Sequence, residues 1–243
     1  MKCNKIGEGV TFGEYCVIGQ NVEIGDGCKI GNHVVLHDGT VLGNHVRVDD
    51  FACLGKLPMK AANSAVTKEQ QLAPARVMDG AIIGTSAVIY RGCTIGKKVL
   101  VADFATLREK VEVGEKTIIG RGVTVECSCT VGSFCKIETN AYLTAYSQVE
   151  DNCFIAPCVV TSNDNYAGRT KERFAHFRGV TVKQGGRIGA GAVILPGKTI
   201  ECDGFVAAGS VVTKDVPAKM IVKGVPAKQA GQVAQEQLLE NQD

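Results

Sequence analysis

The chain has 243 residues, 45% of them apolar and 21% charged, and a formal net charge of +2. So small an imbalance gives no reason to expect nucleic acid or an anionic membrane surface as a partner, and no signal peptide or long uncharged apolar run suggests membrane insertion. Its eleven cysteines form no Cys-x-x-Cys pair, which leaves a zinc site with little support and points to reduced thiols in the cytoplasm.

From Ile6 onward an apolar residue returns every sixth position: Phe12, Ile18, Ile24, Ile30, Leu36, Leu42, Val48 and Leu54. After a break the rule resumes at Ile83 and holds without exception to Ile155, and a third series runs from Ile188 to Val212. Gly often follows directly, as at Gly7, Gly13, Gly25 and Gly31, and the place four after the apolar residue is small or β-branched, as at Val10, Cys16, Val22 and Cys28. Neither a helical period nor plain strand alternation produces this pattern. Each hexad predicts a short strand and a tight corner, with the apolar residue and the small residue two places before it pointing inward. Three hexads close one triangular coil, and coils stacked about 4.8 Å apart satisfy each other's backbone hydrogen bonds. The three series count out to nine coils. Cys16, Cys28, Cys93, Cys129, Cys135 and Cys153 occupy the small inward place and read as buried apolar residues.

Two stretches break the period, about residues 56–80 and 161–187. The first holds Pro58 and Pro74 with helix formers around Thr67 to Leu72; the second is rich in Asn, Arg and aromatic residues. Long excursions from a rigid scaffold usually build binding walls. Beyond Lys228 the polar tail, 229–243, is expected to be helical. The organisation predicted is one all-β solenoid over 1–228 plus that tail.

The repeat resembles that of the hexapeptide-repeat acyltransferase superfamily over roughly residues 6–228. The resemblance implies a left-handed parallel β-helix, an acetyl-CoA donor lying along the C-terminal coils, and an acceptor held between subunits of a homotrimer. Small lateral residues such as Ala102, Ala105 and Ala145 are expected to let protomers approach. The segment IGAGAVILPGKTIECDGFVAAGSVVTKDVPAKMIVKGVPAK looks like the donor-binding end of these enzymes. It implies open backbone groups at Ala190, Ala207 and Ala208, and Lys214, Lys223 and Lys228 facing the nucleotide phosphates.

The run IAPCVVTSNDNYAGRT resembles the Asn-bearing loop of sugar-nucleotide N-acetyltransferases, with Ser162 where the motif prefers Thr. Matched residue by residue, it implies a functional Asn163 followed by Asp164, Asn165 and Tyr166. An Asn is no strong base, but aminolysis of a thioester needs only an oriented free amine. Asn-Asp-Asn also suits a sharp turn.

Among the histidines, His37 and His176 are candidate bases, whereas His33 and His45 fall at solvated corners. LHDGT around His37 is similar to the segment carrying the catalytic His of the lipid A first-step acyltransferase. The better positional match to that enzyme is IYRGC, where Tyr90 stands in place of His, which argues against an O-acylating reading. Arg76, Arg91 and Arg108 are candidate diphosphate donors together with Tyr90; Asp103 and Glu109 are further ionisable candidates. The function expected is acetyl-CoA-dependent N-acetylation of a nucleotide-linked amino sugar, with no metal. Alternatives are O- or N-acyl transfer to another small acceptor and, further off, a γ-type carbonic anhydrase using His33, His37 and His45.

Overall fold

A computed structural model describes residues 4–65, 67 and 70–242. Its backbone winds through three parallel walls. The first wall runs from Lys5–Ile6 to Thr199–Ile200 and the third from Val17–Ile18 to Val211–Val212, each with ten strands. The second runs from Thr11–Phe12 to Phe205–Val206 and gains two more strands, Met220–Lys223 and Lys228–Gln232. In the regular coils each residue pairs with one 18 positions later, as Lys5 with Glu23, so every coil bonds only to its neighbours.

The core follows the predicted alternation. In a typical hexad Val22 and Ile24 are both buried while Glu23 between them is exposed. The glycine after the apolar residue is demanded by the next coil. A Cβ on Gly7 would come 2.7 Å from the backbone nitrogen of Asp26, and one on Gly114 would come 2.5 Å from that of Ser133. The left-handed residue of the corner lies two places further on, at Gly9, Tyr15 and His33 (φ 67°, 58° and 55°), as a type II turn requires. The inward cysteines do more than fill space. Cys28, Cys93 and Cys129 each donate a thiol hydrogen bond, at 2.9–3.1 Å, to a corner carbonyl of the next coil.

There are ten coils rather than nine. Arg76–Val77, Val160–Thr161 and Thr181–Val182 are strands that flank the two breaks, each carrying the hexad phase but lying outside the unbroken apolar series. The excursions are accordingly shorter than expected, from Lys56 to Arg76 and from Thr161 to Thr181. The tail is not helical as expected. Lys228–Gln232 pairs antiparallel with Met220–Lys223, followed by two single 3-10 turns at Gln235–Gln237 and Leu239–Asn241. The physical reason is an edge: the last strand of the second wall offers unpaired backbone groups, and the tail covers them. Val233 and Leu238 of the tail are buried, and the Leu239 N–H donates to Asp203 of the last coils at 3.0 Å. Thr67 and residues 70–72 are irregular rather than helical, and the remainder of the expected helix includes residues outside those described.

Candidate functional site

Both excursions leave from the same place, the corner that follows the third wall. The first departs after Cys53–Lys56 and folds forward along the prism; the second departs after Val160–Thr161 and folds back. They meet over the intervening strands and enclose a cleft of about 440 Å3. The first loop contributes Met59, Ser64 and Thr67, the second Asn163, Asp164, Arg173 and Phe177, and the coils Arg108, Glu126, Tyr142 and Thr144.

That corner is where the glycine rule fails. Directly after the inward apolar residue the third wall carries, coil after coil, Gly19, His37, Gly55, Tyr90, Arg108, Glu126, Thr144 and Ser162. From Tyr90 onward it is a column of polar side chains spaced one coil apart. Arg108 is its centre. Its guanidinium grips Glu109 at 3.0 and 3.3 Å, reaches Glu126 at 3.4 Å and Thr67 of the first loop at 3.2 Å, and lies 5.0 Å over the Tyr90 ring. Burial works against its charge, but the hydrogen bond and charge of Glu109, aided by Glu126, outweigh that and hold its pKa above the ordinary value. Glu109 is only 2% exposed, so this pairing is what keeps a carboxylate beneath the cleft. The two carboxylates also colour the surroundings. Burial, then Glu109 and Glu126, push the Cys127 thiol up to about 11, and burial, then Glu126, raise the Tyr142 phenol.

Under the cleft the backbone is held by side chains at places the hexad normally gives to apolar residues. Where the second loop peels away, Tyr142 still pairs with Val160, but the neighbouring ladder bond is replaced: the Thr144 N–H donates to Thr161 Oγ1 at 2.8 Å. The Ser147 hydroxyl donates to the Thr144 carbonyl at 2.7 Å. These two hydroxyls fix Thr144 where the regular coil ends.

Asn163 lines the cleft, and its carbonyl accepts the Arg178 N–H at 3.2 Å. Asp164 sits beside it but is engaged in its own loop, accepting from the Tyr166 and Gly168 N–H groups at 2.8 and 3.0 Å and from Arg173 at 2.8 Å. Desolvation raises its pKa, yet those backbone bonds and Arg173 together hold it below the usual carboxylate value. Arg173 in turn packs over Phe174 and Phe177.

The other expected residues fall elsewhere. His176, Asn165 and Tyr166 face a neighbouring cleft of about 440 Å3 with Arg178 and Lys198, where the Tyr166 and His176 rings stack 5.9 Å apart. His37 lies against Cys53, 3.4 Å from Nε2 to Sγ, and lines neither cleft. Arg91 ties down the end of the first loop through the Leu72 carbonyl at 3.0 Å and the Asp38 carbonyl at 2.6 Å. Arg76 is exposed on the first wall, and Asp103 caps the Thr85 N–H at the second corner. The three arginines therefore do not converge. Ala105 points into the core and Ala145 lines the loop cleft, so neither offers the lateral surface expected of it. His33 is stacked between Tyr15 and Phe51, and with His37 and His45 occupies three different corners.

At the C-terminal end Ala190, Ala207 and Ala208 form a shelf of small residues, and a Cβ on Gly191 or Gly209 would meet no atom within 4 Å. Lys214 and Lys228 share a groove of about 350 Å3 with Pro217, Pro226 and Ala227; Lys223 stands outside it, opposite Lys228 in the terminal hairpin. Sequence reasoning missed Glu126, Tyr142, Thr144 and Arg173. The signal for two of them was present in the run of non-glycine residues at one corner in three.

Ten stacked triangular coils built on this sixfold rule form a solenoid of six-residue repeats. Residues 5–38 match the family described as bacterial transferase hexapeptide (six repeats), and residues 62–173 match that of the GMPPB C-terminal domain. A serine acetyltransferase of Buchnera aphidicola is 42% identical over 67 residues, covering 28% of this chain and 24% of the relative. A 2,3,4,5-tetrahydropyridine-2,6-dicarboxylate N-acetyltransferase of Clostridium perfringens is 61% identical over 41 residues, 17% of each. The chain thus spans a quarter or less of the curated relatives it matches. The crystal structure of a UDP-N-acetylglucosamine acyltransferase from Bacteroides fragilis covers 96% of this chain and 72% of its own, at 18% identity and a TM-score of 0.55, a likeness of fold.

Proposed function

We propose that the protein is an acetyl-CoA-dependent N-acetyltransferase whose acceptor is a nucleotide-linked amino sugar. The observation that carries this reading is the position of Asn163 in a cleft that also holds Glu126, Arg108 and Tyr142 and, among the described residues, no histidine. An amine attacks the thioester carbonyl, the C–N bond forms, the C–S bond breaks and CoA leaves as the thiolate; the proton lost from nitrogen passes to solvent, from which the thiolate takes up one proton to become the free thiol. Asn163 supplies an amide to orient the nucleophile or hydrogen-bond the developing oxyanion. Both curated relatives are acetyltransferases by name, which supports acetyl transfer and leaves the acceptor to this chain's own loops.

The donor is placed along the shelf of Ala190, Ala207 and Ala208, with Lys214 and Lys228 toward its phosphates. The nucleotide of the acceptor is placed in the cationic neighbouring cleft, where Arg178 and Lys198 suit phosphate oxygens and the Tyr166–His176 stack suits a base. A cyclic homotrimer in the cytoplasm completes the reading, since a neighbouring subunit would close the open side of the cleft. Among the described residues no helix is long and apolar enough to cross a membrane.

Thiol release from acetyl-CoA, followed with a panel of nucleotide diphosphate amino sugars and their hydroxyl counterparts, tests the proposal. Release with an amine acceptor supports it. Turnover with hydroxyl acceptors alone would overturn it. An amino-acid-like amine is the second reading, favoured by the relative named as an N-acetyltransferase of a tetrahydropyridine dicarboxylate, and free amino acids belong in the same panel.

A further inference from the structure

Glu126 is the carboxylate on the cleft whose charge is the less closely engaged. Arg108 spends its two shortest carboxylate contacts on Glu109, at 3.0 and 3.3 Å, and meets Glu126 only at 3.4 Å. Arg173 is committed to Asp164 at 2.8 Å. Among the described residues, 3.4 Å to Arg108 is the nearest ion-pair contact Glu126 makes. The four charged residues lining the cleft, Arg108, Arg173, Glu126 and Asp164, balance in sign, and Glu109 next to Arg108 adds one negative charge. Glu126 is 19% exposed, so it is largely withdrawn from bulk water while open to an occupant. Burial is the first cause that raises the Cys127 thiol and the Tyr142 phenol, and the charge of Glu126 adds to both.

We propose that Glu126 is the specificity-determining residue that receives the ammonium form of the acceptor's amino group, and so selects an amine over a hydroxyl. This rests on the N-acetyltransferase reading above and names how that site chooses its acceptor. A cation is what a loosely paired, partly desolvated carboxylate recognises best, because a hydroxyl in the same place brings a hydrogen bond but no opposite charge. The ammonium must lose its proton to solvent before it can attack. Turnover therefore rises with pH while the KM for the acceptor also rises, a combination that a purely structural role for Glu126 would not produce.

The test measures kcat and KM for a nucleotide-linked amino sugar with the unmodified protein, Glu126→Gln and Glu126→Asp, beside the affinity for acetyl-CoA. Glu126→Gln should raise the acceptor KM about ten- to a hundredfold, from the loss of one charged hydrogen bond, and leave donor affinity unchanged. Glu126→Asp, which keeps the charge, should recover most of the amine preference. If the amine is acetylated and Glu126→Gln shows the parental KM and selectivity, this inference fails while the N-acetyltransferase reading stands. If no amine is acetylated by the unmodified protein, both fall. Should the Gln variant not fold, the unmodified protein gives the same decision. It should bind the amino sugar nucleotide at least about tenfold more tightly than its hydroxyl counterpart at pH 7, and lose that advantage once the amine is neutral; equal affinity at pH 7 would overturn the inference.

Discussion

Replacing Arg108 by Met should cost stability out of proportion to the area it covers, because the loss falls on its partner. Glu109 is 2% exposed and Arg108 19%, and the bidentate contact at 3.0 and 3.3 Å is the only ion pair Glu109 makes among the described residues. Removing one member of a buried pair typically costs about 3–5 kcal/mol, since the remaining charge is left without a partner. Arg108's residual exposure admits water, so the lower end, about 3 kcal/mol, is expected. The double variant Arg108→Met/Glu109→Gln removes both charges and should lose only about 1 kcal/mol, about 2 kcal/mol less than Arg108→Met alone. For a chain of this size the single change corresponds to a melting shift of about 6–12 °C. Urea unfolding of the two single variants and the double variant, followed by circular dichroism at constant m-value, measures the cycle. If the double variant is as unstable as Arg108→Met alone, Glu109 is not held by Arg108 and the electrostatic account of the cleft floor is wrong.

Asn163→Ala should lower turnover about ten- to a thousandfold while acetyl-CoA affinity, measured by calorimetry, stays unchanged; equal turnover would return Asn163 to a role in its turn. His37→Ala and His176→Ala should each keep substantial activity. A rate plateau above about pH 6.5 together with a loss of about a hundredfold in either variant would restore a histidine base. Because Asp164 is held below the ordinary carboxylate pKa, its contribution is fully present above that ordinary value and disappears as the pH falls through the lower folded one. Hydrogen exchange across residues 163–178 should accelerate in that acid window, and Asp164→Asn should abolish the acid-induced change. Alkylation at pH 8 with mass-spectrometric readout should label exposed Cys158 and Cys202 readily, and Cys93 and Cys129, buried and pushed up to about 12, only in denaturant; rapid native labelling of Cys93 would contradict its place in the core.

The coils were legible because their physics is local. An inward apolar residue and a small corner residue suffice to write each turn, and only the hexads ending at Val77, Thr161 and Val182 escaped, one of them because a hydroxyl stands at the apolar place. The site was half legible. Asn163 was marked by its loop motif, but nothing local says that a loop leaving after Lys56 and another leaving after Thr161 bend toward each other. For that reason the arginines seemed interchangeable in sequence. Arg91 proves to be a strut for the first loop, while Arg108 is the hub of the cleft. Glu126 and Thr144 belong to a column visible only when every third corner is compared with the one 18 residues earlier, a long-range comparison that a local reading does not make.

Both loops spring from one corner, separated by four strands of the third wall, Val88–Tyr90, Thr106–Leu107, Thr124–Val125 and Tyr142–Leu143. The prism thus serves as a gauge graduated in single coils. Adding or deleting 18 residues between the loops would move them apart or together by about 4.8 Å without altering a side chain on either, and would add or remove one member of the column between them. The aperture offered to an acceptor is therefore quantised. Chains built this way can change the size of what they admit by duplicating a coil, and its chemistry by a single substitution at one corner.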